Sequence, residues 1–198
     1  ATIGVSFDGG KRWTEPGFDF GEAYWPNRFG DRPPMTYTHK VRSRGIQVIV
    51  PSDAAIDPFD PKTIAIGHDD LGLRISRDGG EWWEWAYDGL LRLEKTHVQA
   101  VLYDPAVKGR LWCGGGKKKG IGHVYQSDDG GRTLRVIGIP QLEAASREKE
   151  NAGVNALAID PTSAPATRTL YAGTDKGRYK TGDGGKTWQA TSFGINLP

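Results

Sequence analysis

Cysteine, methionine and histidine are scarce in this sequence, and no long apolar run occurs in it. The 198 residues include one Cys, one Met and four His. A single cysteine excludes an intrachain disulfide, and we expect Cys113 to be buried, because it lies within a short apolar run. The histidines are not spaced like metal ligands, so we predict neither a metal nor another cofactor. No stretch is long and apolar enough to span a membrane, so we expect no membrane partner.

Excess charge of either sign is also missing. The 26 Lys and Arg residues nearly balance the 24 Asp and Glu residues, which gives a net charge of +2 at pH 7. A general binder of polyanions is normally more basic, so we do not expect nucleic acid as a partner. The first residues lack the basic start and apolar stretch of a signal peptide. We expect any export signal to have been removed or never to have been present.

Glycine, proline and aromatic residues are plentiful by contrast. The chain has 28 Gly and 12 Pro, together with 7 Trp, 7 Tyr and 6 Phe. Glycine and proline favour tight turns, whereas aromatic residues favour strands. The composition therefore predicts many short β-strands joined by turns, and it does not favour helices.

An eight-residue motif occurs four times. Each copy has Ser or Thr, any residue, Asp, Gly, Gly, two further residues, and then Trp or Leu; the copies lie at residues 6–13, 76–83, 127–134 and 181–188. Asp-Gly-Gly predicts a hairpin turn, because glycine accepts the positive φ angles of such turns. The carboxylate can accept hydrogen bonds from the backbone of its own turn. We predict a structural role for the four motif aspartates, Asp8, Asp78, Asp129 and Asp183.

A second motif runs in phase with the first. An apolar strand that ends in Asp-Pro precedes three of the four copies, with the aspartate at positions 57, 104 and 160. Proline stops each strand, because it cannot donate to a strand ladder. Two further strands precede each Asp-Gly-Gly turn and a fourth follows it. This makes four antiparallel strands in a unit of roughly fifty residues.

Four-stranded units repeated around an axis are the blades of a β-propeller. We predict an all-β chain of about three and a half blades, a partial propeller. The predicted bounds are a half blade at residues 1–20, a long loop at 21–45, and blades at 46–90, 98–140 and 154–195. Propellers close with about four to eight blades. We therefore expect the remaining blades as partners, from the same protein or from another copy.

The eight-residue motifs resemble the Asp boxes of bacterial neuraminidase repeat (BNR) propellers. That family includes sialidases, xyloglucanase-type glycoside hydrolases, sortilin-type receptors and photosystem II assembly factors. The Phe/Tyr-Arg-Ile-Pro motif of sialidases is absent. Residues 55–61 and 67–73 look most like a blade of the xyloglucanase type, in which a Gly-Thr-Asp-Val-Gly-Gly segment carries a catalytic aspartate. The resemblance implies Asp69 as its counterpart, although Asp70, Leu71 and Gly72 stand here in place of Val-Gly-Gly.

An ordinary turn residue is the alternative role for Asp69. The segment Gly173, Thr174, Asp175 in the last blade has the same pattern, with a closer match at Thr174. A blade can therefore produce this pattern without catalysis. A glycoside hydrolase needs two carboxylates, and the sequence does not identify the second.

Candidate ligand-binding residues lie in loops that we expect to share one face of the propeller. Loops on a rigid scaffold are free to vary and often carry function. The long loop combines aromatic rings, on which sugars can pack, with arginines; the alternative role of its aromatic residues is to anchor the loop. The substrate-binding candidates from these loops are Tyr24, Trp25, Arg28, His68, Asp70 and Asp175.

Two functions remain open at this point. The chain is either part of an extracellular or periplasmic glycoside hydrolase that acts on a polysaccharide, or a non-catalytic propeller module. The second alternative would bind carbohydrate or protein through the same loops, as sortilin-type receptors and assembly factors do. Both alternatives predict a glycan or protein ligand at the loop face.

Overall fold

The structure is a computed structural model that describes part of the sequence. The described residues are 18–20, 40–43, 51–69, 71–86, 88–90, 97–116, 122–140, 142 and 152–191. For residues 18–20 and 40–43 only the backbone is described.

Fourteen strands are formed within the described residues. Their bounds are β1 Phe18–Phe20, β2 Lys40–Ser43, β3 Pro51–Asp57, β4 Asp60–His68, β5 Gly72–Ser76, β6 Trp83–Trp85, β7 Val98–Tyr103, β8 Leu111–Gly115, β9 Val124–Ser127, β10 Arg135–Val136, β11 Val154–Ile159, β12 Leu170–Thr174, β13 Gly177–Thr181 and β14 Gln189–Ala190. A 3-10 turn, Pro165–Thr167, precedes β12.

The strands make three antiparallel sheets that follow one another along the chain. Strands β3 to β6, β7 to β10 and β11 to β14 pair in sequence order, each strand with the next. The predicted all-β fold with four antiparallel strands per unit is confirmed. We refer to these three units as the first, second and third blades.

The first sheet is wider than predicted. Strands β1 and β2 pair with each other, and β2 also pairs with β6, so this sheet has six strands. Strand β2 lies within residues 21–45, the segment predicted as a long loop, and β1 lies within the predicted half blade. The other residues of 1–20 and 21–45 lie outside the described part of the chain.

Apolar side chains fill the two seams between consecutive blades. Between the first and second blades, Leu73 and Ile75 pack with Val101 and Tyr125. Between the second and third blades, the cluster includes Trp112, Val124, Ile137, Val154, Leu170, Ala172, Tyr179 and Trp188. The seams contain most of the described core. Cys113, as expected from the sequence, is fully buried.

Glycines on the second strand of each blade determine how closely the next blade approaches. A Cβ atom at Gly67 would lie 2.6 Å from the carbonyl oxygen of Val98, and one at Gly114 would lie 2.6 Å from Cγ1 of Val154. Real Cβ contacts are essentially never that short, so the absence of a side chain permits the contact. The corresponding glycine of the third blade, Gly173, would place its Cβ 3.4 Å from Ala156 of its own blade.

A buried ion pair joins the second and third blades. Arg168 donates from Nε to Oδ2 of Asp104 at 2.9 Å and from Nη2 to Oδ1 at 2.7 Å, and the two side chains are 1% and 0% exposed. Burial alone would raise the pKa of Asp104, but the hydrogen bonds from Arg168 and from the backbone of Ala106 hold it below 3.8. The paired geometry therefore favours the charged state of this buried carboxylate.

Candidate functional site

The candidate site lies at the turn between β4 and β5, where the sequence places His68 and Asp69. His68 ends β4 and pairs with Pro51 on one side and Gly72 on the other. Gly72 has a φ of 65°, which reverses the chain into β5. Asp69 therefore lies in the turn between β4 and β5.

The second blade contributes the other half of this site. Its strand β7 begins at Val98, which packs against Gly67, so the residues on either side of Val98 pass close to the turn. Nε2 of Gln99 donates a hydrogen bond to Oδ1 of Asp69 at 3.3 Å. The carboxylate from the first blade is thus held across the seam by an amide from the second.

Three buried polar atoms in this region have no hydrogen-bond partner within the described residues. They are Nδ1 of His68, Nδ1 of His97 and Oε1 of Gln99. Buried polar side-chain atoms nearly always have a partner, which can be a protein group, water or a ligand. Their occurrence on residues that flank the Asp69 turn makes this part of the seam suited to a polar ligand.

The environment of His68 favours its uncharged form. Burial, and then the positive charge of Arg74, hold the pKa of His68 below its ordinary value of 6.5, although backbone hydrogen bonds to Gly72 and Ile66 act in the opposite direction. A neutral imidazole can either accept or donate a hydrogen bond at a given ring nitrogen. The site therefore combines a carboxylate with neutral hydrogen-bonding groups.

Asp175 occupies the corresponding turn of the third blade, but its carboxylate is bound within that blade. Oδ2 accepts a hydrogen bond from the backbone N–H of Gly153 at 2.8 Å, and Oδ1 accepts one from Nδ2 of Asn155 at 2.8 Å. The backbone N–H of Asp175 in turn donates to the carbonyl of Gly153 at 3.1 Å. Both carboxylate oxygens therefore tie the turn to the start of β11.

The motif aspartates lie at the opposite end of the third strand of each blade. In each described copy the Ser or Thr hydroxyl donates to the carboxylate at 2.7–2.8 Å, and the second glycine donates its N–H to that hydroxyl at 2.8–3.0 Å. The carboxylate also accepts the N–H four residues later at 2.9–3.0 Å. These copies contain Asp78, Asp129 and Asp183.

The hydrogen bonds of these turns favour ionised carboxylates. Bonds from the hydroxyl and N–H of Thr187, and from the hydroxyl of Thr181, lower the pKa of Asp183 to about 2. Burial opposes the shift at Asp129, but bonds from Thr133 and Ser127 still hold its pKa below 3.8. The glycines of the three described turns all have φ angles between 73° and 96°.

Some residues predicted from the sequence are outside the described part of the chain. They are Asp8, Tyr24, Trp25, Arg28 and Asp70. The sequence did not identify Gln99 as a candidate. It drew attention to His97 only as one of four histidines that are not spaced like metal ligands. A signal was present: Gln99 follows Val98 as Asn155 follows Val154, so both blades carry a side-chain amide at the same position of their first strand.

Neither a metal-binding group nor a membrane-spanning helix is found among the described residues. No set of three or more His, Cys, Asp or Glu side chains there is arranged to hold a metal ion. No helix there is long and apolar enough to cross a membrane.

Comparison with known proteins relates the fold to solved structures. The chain is similar to an ancestral GH74 enzyme, with a TM-score of 0.60 and 20% identity over 79% of this chain and 20% of that one. It is also similar to the GH74 enzyme of Niastella koreensis, with a TM-score of 0.52 and 20% identity over 72% of this chain and 22% of that one. The likeness supports a partial propeller, and the chain spans about a fifth of the length of these enzymes.

Other comparisons add little. The GH74 xyloglucanase from Xanthomonas campestris aligns at 18% identity with a TM-score of 0.36, which is too low to inform the fold. No protein-family model matches the chain, and no curated protein matches it.

Proposed function

We propose that this chain is part of a propeller glycoside hydrolase of the Asp-box type, in which Asp69 is one of the two catalytic carboxylates. The observation that carries the proposal is the hydrogen bond from Gln99 to Asp69 across the first seam, beside buried polar atoms that have no partner within the described residues. The fold shared with GH74 enzymes supports the same class of reaction.

The chemistry would follow the two-carboxylate scheme of glycoside hydrolases. One carboxylic acid protonates the leaving glycosidic oxygen, while a second carboxylate activates water or attacks the sugar directly. Asp69 supplies one of the pair, and we leave the second unassigned. His68, Asp70 and Asp175, with Tyr24, Trp25 and Arg28, remain the proposed contacts to the polysaccharide.

The proposal also concerns the cellular location of the protein and the blades that complete its ring. An enzyme acting on polysaccharide would work outside the cytoplasm, so we propose an extracellular or periplasmic protein. We also propose that further blades, from the same protein or another copy, complete the ring. In this scheme Asp8, Asp78, Asp129 and Asp183 have structural roles, and hydrogen bonds within the turns of the last three support that assignment.

The decisive experiment measures hydrolysis of β-glucan and xyloglucan by the protein with its complete ring. We expect Asp69→Asn to lower kcat by about 1000-fold or more, because it removes an acid–base group while preserving size. Asp160→Asn is the matched control, since its Oδ1 can still accept the N–H of Thr162 and it lies in a different turn. Equal activity of the Asp69 variant and wild type would remove Asp69 from the mechanism.

A non-catalytic binding module is the second candidate. It is favoured by Asp175, because both oxygens of the carboxylate in this corresponding turn are bound within the third blade. Binding to a neutral β-glucan oligosaccharide without release of reducing ends would support this candidate over the enzyme.

A further inference from the structure

Gln99 connects two blades through one side chain. Its backbone is fixed because the preceding residue, Val98, is 0% exposed and packs against Gly67. From that position Nε2 reaches Asp69 of the first blade at 3.3 Å. The orientation of Asp69 therefore depends on how the second blade packs on the first.

The other end of the same amide is buried without a partner. Oε1 of Gln99 accepts no hydrogen bond from the described residues, and Nδ1 of the nearby His97 is likewise buried without a hydrogen-bond partner among them. Leaving a buried acceptor unsatisfied costs free energy. A ligand that donates a hydrogen bond would remove this cost, so the unsatisfied oxygen indicates a position for a donor group beside Asp69.

The third blade has a side-chain amide at the same position, but the amide has a different hydrogen-bond partner. Asn155 follows Val154 as Gln99 follows Val98, but its shorter amide donates to Asp175 of its own blade at 2.8 Å. Asn155 is exposed, and its amide has no buried unpartnered atom within the described residues. The side-chain amide of Gln99 therefore combines two features: a hydrogen bond across the seam, and a buried oxygen that accepts no hydrogen bond from the described residues.

We infer that Gln99 is a positioning residue whose amide has two roles. Its Nε2 holds the carboxylate of Asp69, while its Oε1, together with Nδ1 of His97, binds a hydroxyl of the ligand next to that carboxylate. The working unit consequently spans the first two blades. The inference rests on the proposed function for the nature of the ligand, whereas the contact between Gln99 and Asp69 is independent of it.

Steady-state kinetics with two variants separates the roles of the amide. Gln99→Leu removes both, so we expect kcat to fall about 10- to 100-fold with a rise in KM, since a small misplacement of a reacting group can cost that much. Gln99→Glu keeps an acceptor but places a negative charge beside Asp69. We expect it to raise the pKa of Asp69, and so to move the limb of the kcat profile that Asp69 titrates to higher pH, because a like charge disfavours the ionised carboxylate.

Gln189→Leu and Gln189→Glu are the matched controls for these kinetics, because Gln189 is exposed and lies in the fourth strand of the third blade, and we expect kcat and KM within twofold of wild type. A purely structural role of Gln99 would alter stability without moving the pH profile. Unchanged kcat, KM and pH profile in both Gln99 variants would overturn the inference.

A second measurement does not depend on hydrolysis. In the chain labelled with 15N-glutamine, the side-chain amide signal of Gln99 is assigned by its loss in Gln99→Leu. We expect the chemical shift of that signal to change in Asp69→Asn. We also expect it to change when cellotetraose is added to the wild type, whereas Asp160→Asn should leave it unchanged. Binding that shifts the Gln99 signal without any hydrolysis would reject the enzyme but retain the subsite. A signal unaffected by Asp69→Asn and by cellotetraose would reject the inference.

Discussion

The turns after β4 and β12 have related sequences but hold their aspartates in different ways. After β12, Asp175 receives hydrogen bonds from Gly153 and Asn155 of its own blade. After β4, Asp69 receives one from Gln99 of the next blade. The difference teaches that the pattern of glycine followed by aspartate two residues later specifies a turn, whereas the hydrogen-bond partners of the aspartate depend on the surrounding strands.

The largest expected difference between the two blades concerns the free energy of unfolding after a methyl group is added before each turn. Gly67→Ala would push against the Val98 carbonyl, so we expect a loss of about 1–3 kcal/mol in the free energy of unfolding. Among the described residues, the new methyl group of Gly173→Ala meets Ala156 of its own blade at 3.4 Å, and we expect a change within about 0.5 kcal/mol. Urea denaturation of the two variants tests the difference. Equal losses would show that the close approach of the second blade is unimportant.

Removing the carboxylate of the third-blade turn should have a smaller effect. Asp175→Ala deletes the acceptor of two hydrogen bonds at an exposed turn, so we expect a loss of about 1 kcal/mol in the free energy of unfolding. Asn155→Ala deletes only one of these bonds and should cost less. A double-mutant cycle in urea measures their coupling. Full stability of the Asp175 variant would contradict the structural use of this carboxylate.

The smallest expected effect concerns pH. Because burial lowers the pKa of His68 in the folded state, the unfolded chain binds the proton more tightly. The contribution of neutral His68 is therefore present above pH 6.5 and is lost as pH falls through the lowered folded-state pKa. His68→Thr introduces the residue that the third blade has at Thr174, and it should flatten the decline of unfolding free energy on acidification. Identical pH dependence in both proteins would exclude this role of His68.

Local sequence was sufficient to predict the strands and turns of the blades. The Asp-Gly-Gly motifs depend on contacts within eight residues, so their positions could be read directly, and the described copies at Asp78, Asp129 and Asp183 have the expected hydrogen bonds. The pairing of β2 with β6 could not be read, because a four-residue strand inside a long polar segment has no periodic signal of its own.

The candidate site was predicted only in part for the same physical reason. His68 and Asp69 stand in one turn and were identified from a local pattern. Gln99 lies 30 residues further along the chain and reaches Asp69 only because Gly67 lets Val98 approach. Such a contact is a property of packing between blades, which a single sequence does not reveal.

The widened first sheet has a consequence for self-association. Outer edges of sheets can recruit strands from other molecules, and short edge strands limit this. With β1 and β2 added, the outer edge of the first sheet is the three-residue β1, while β10 and β14 offer two residues each. Among the described strands, these outer edges therefore offer few backbone groups in register to another chain, whereas the opposite edges are the longer strands β3, β7 and β11.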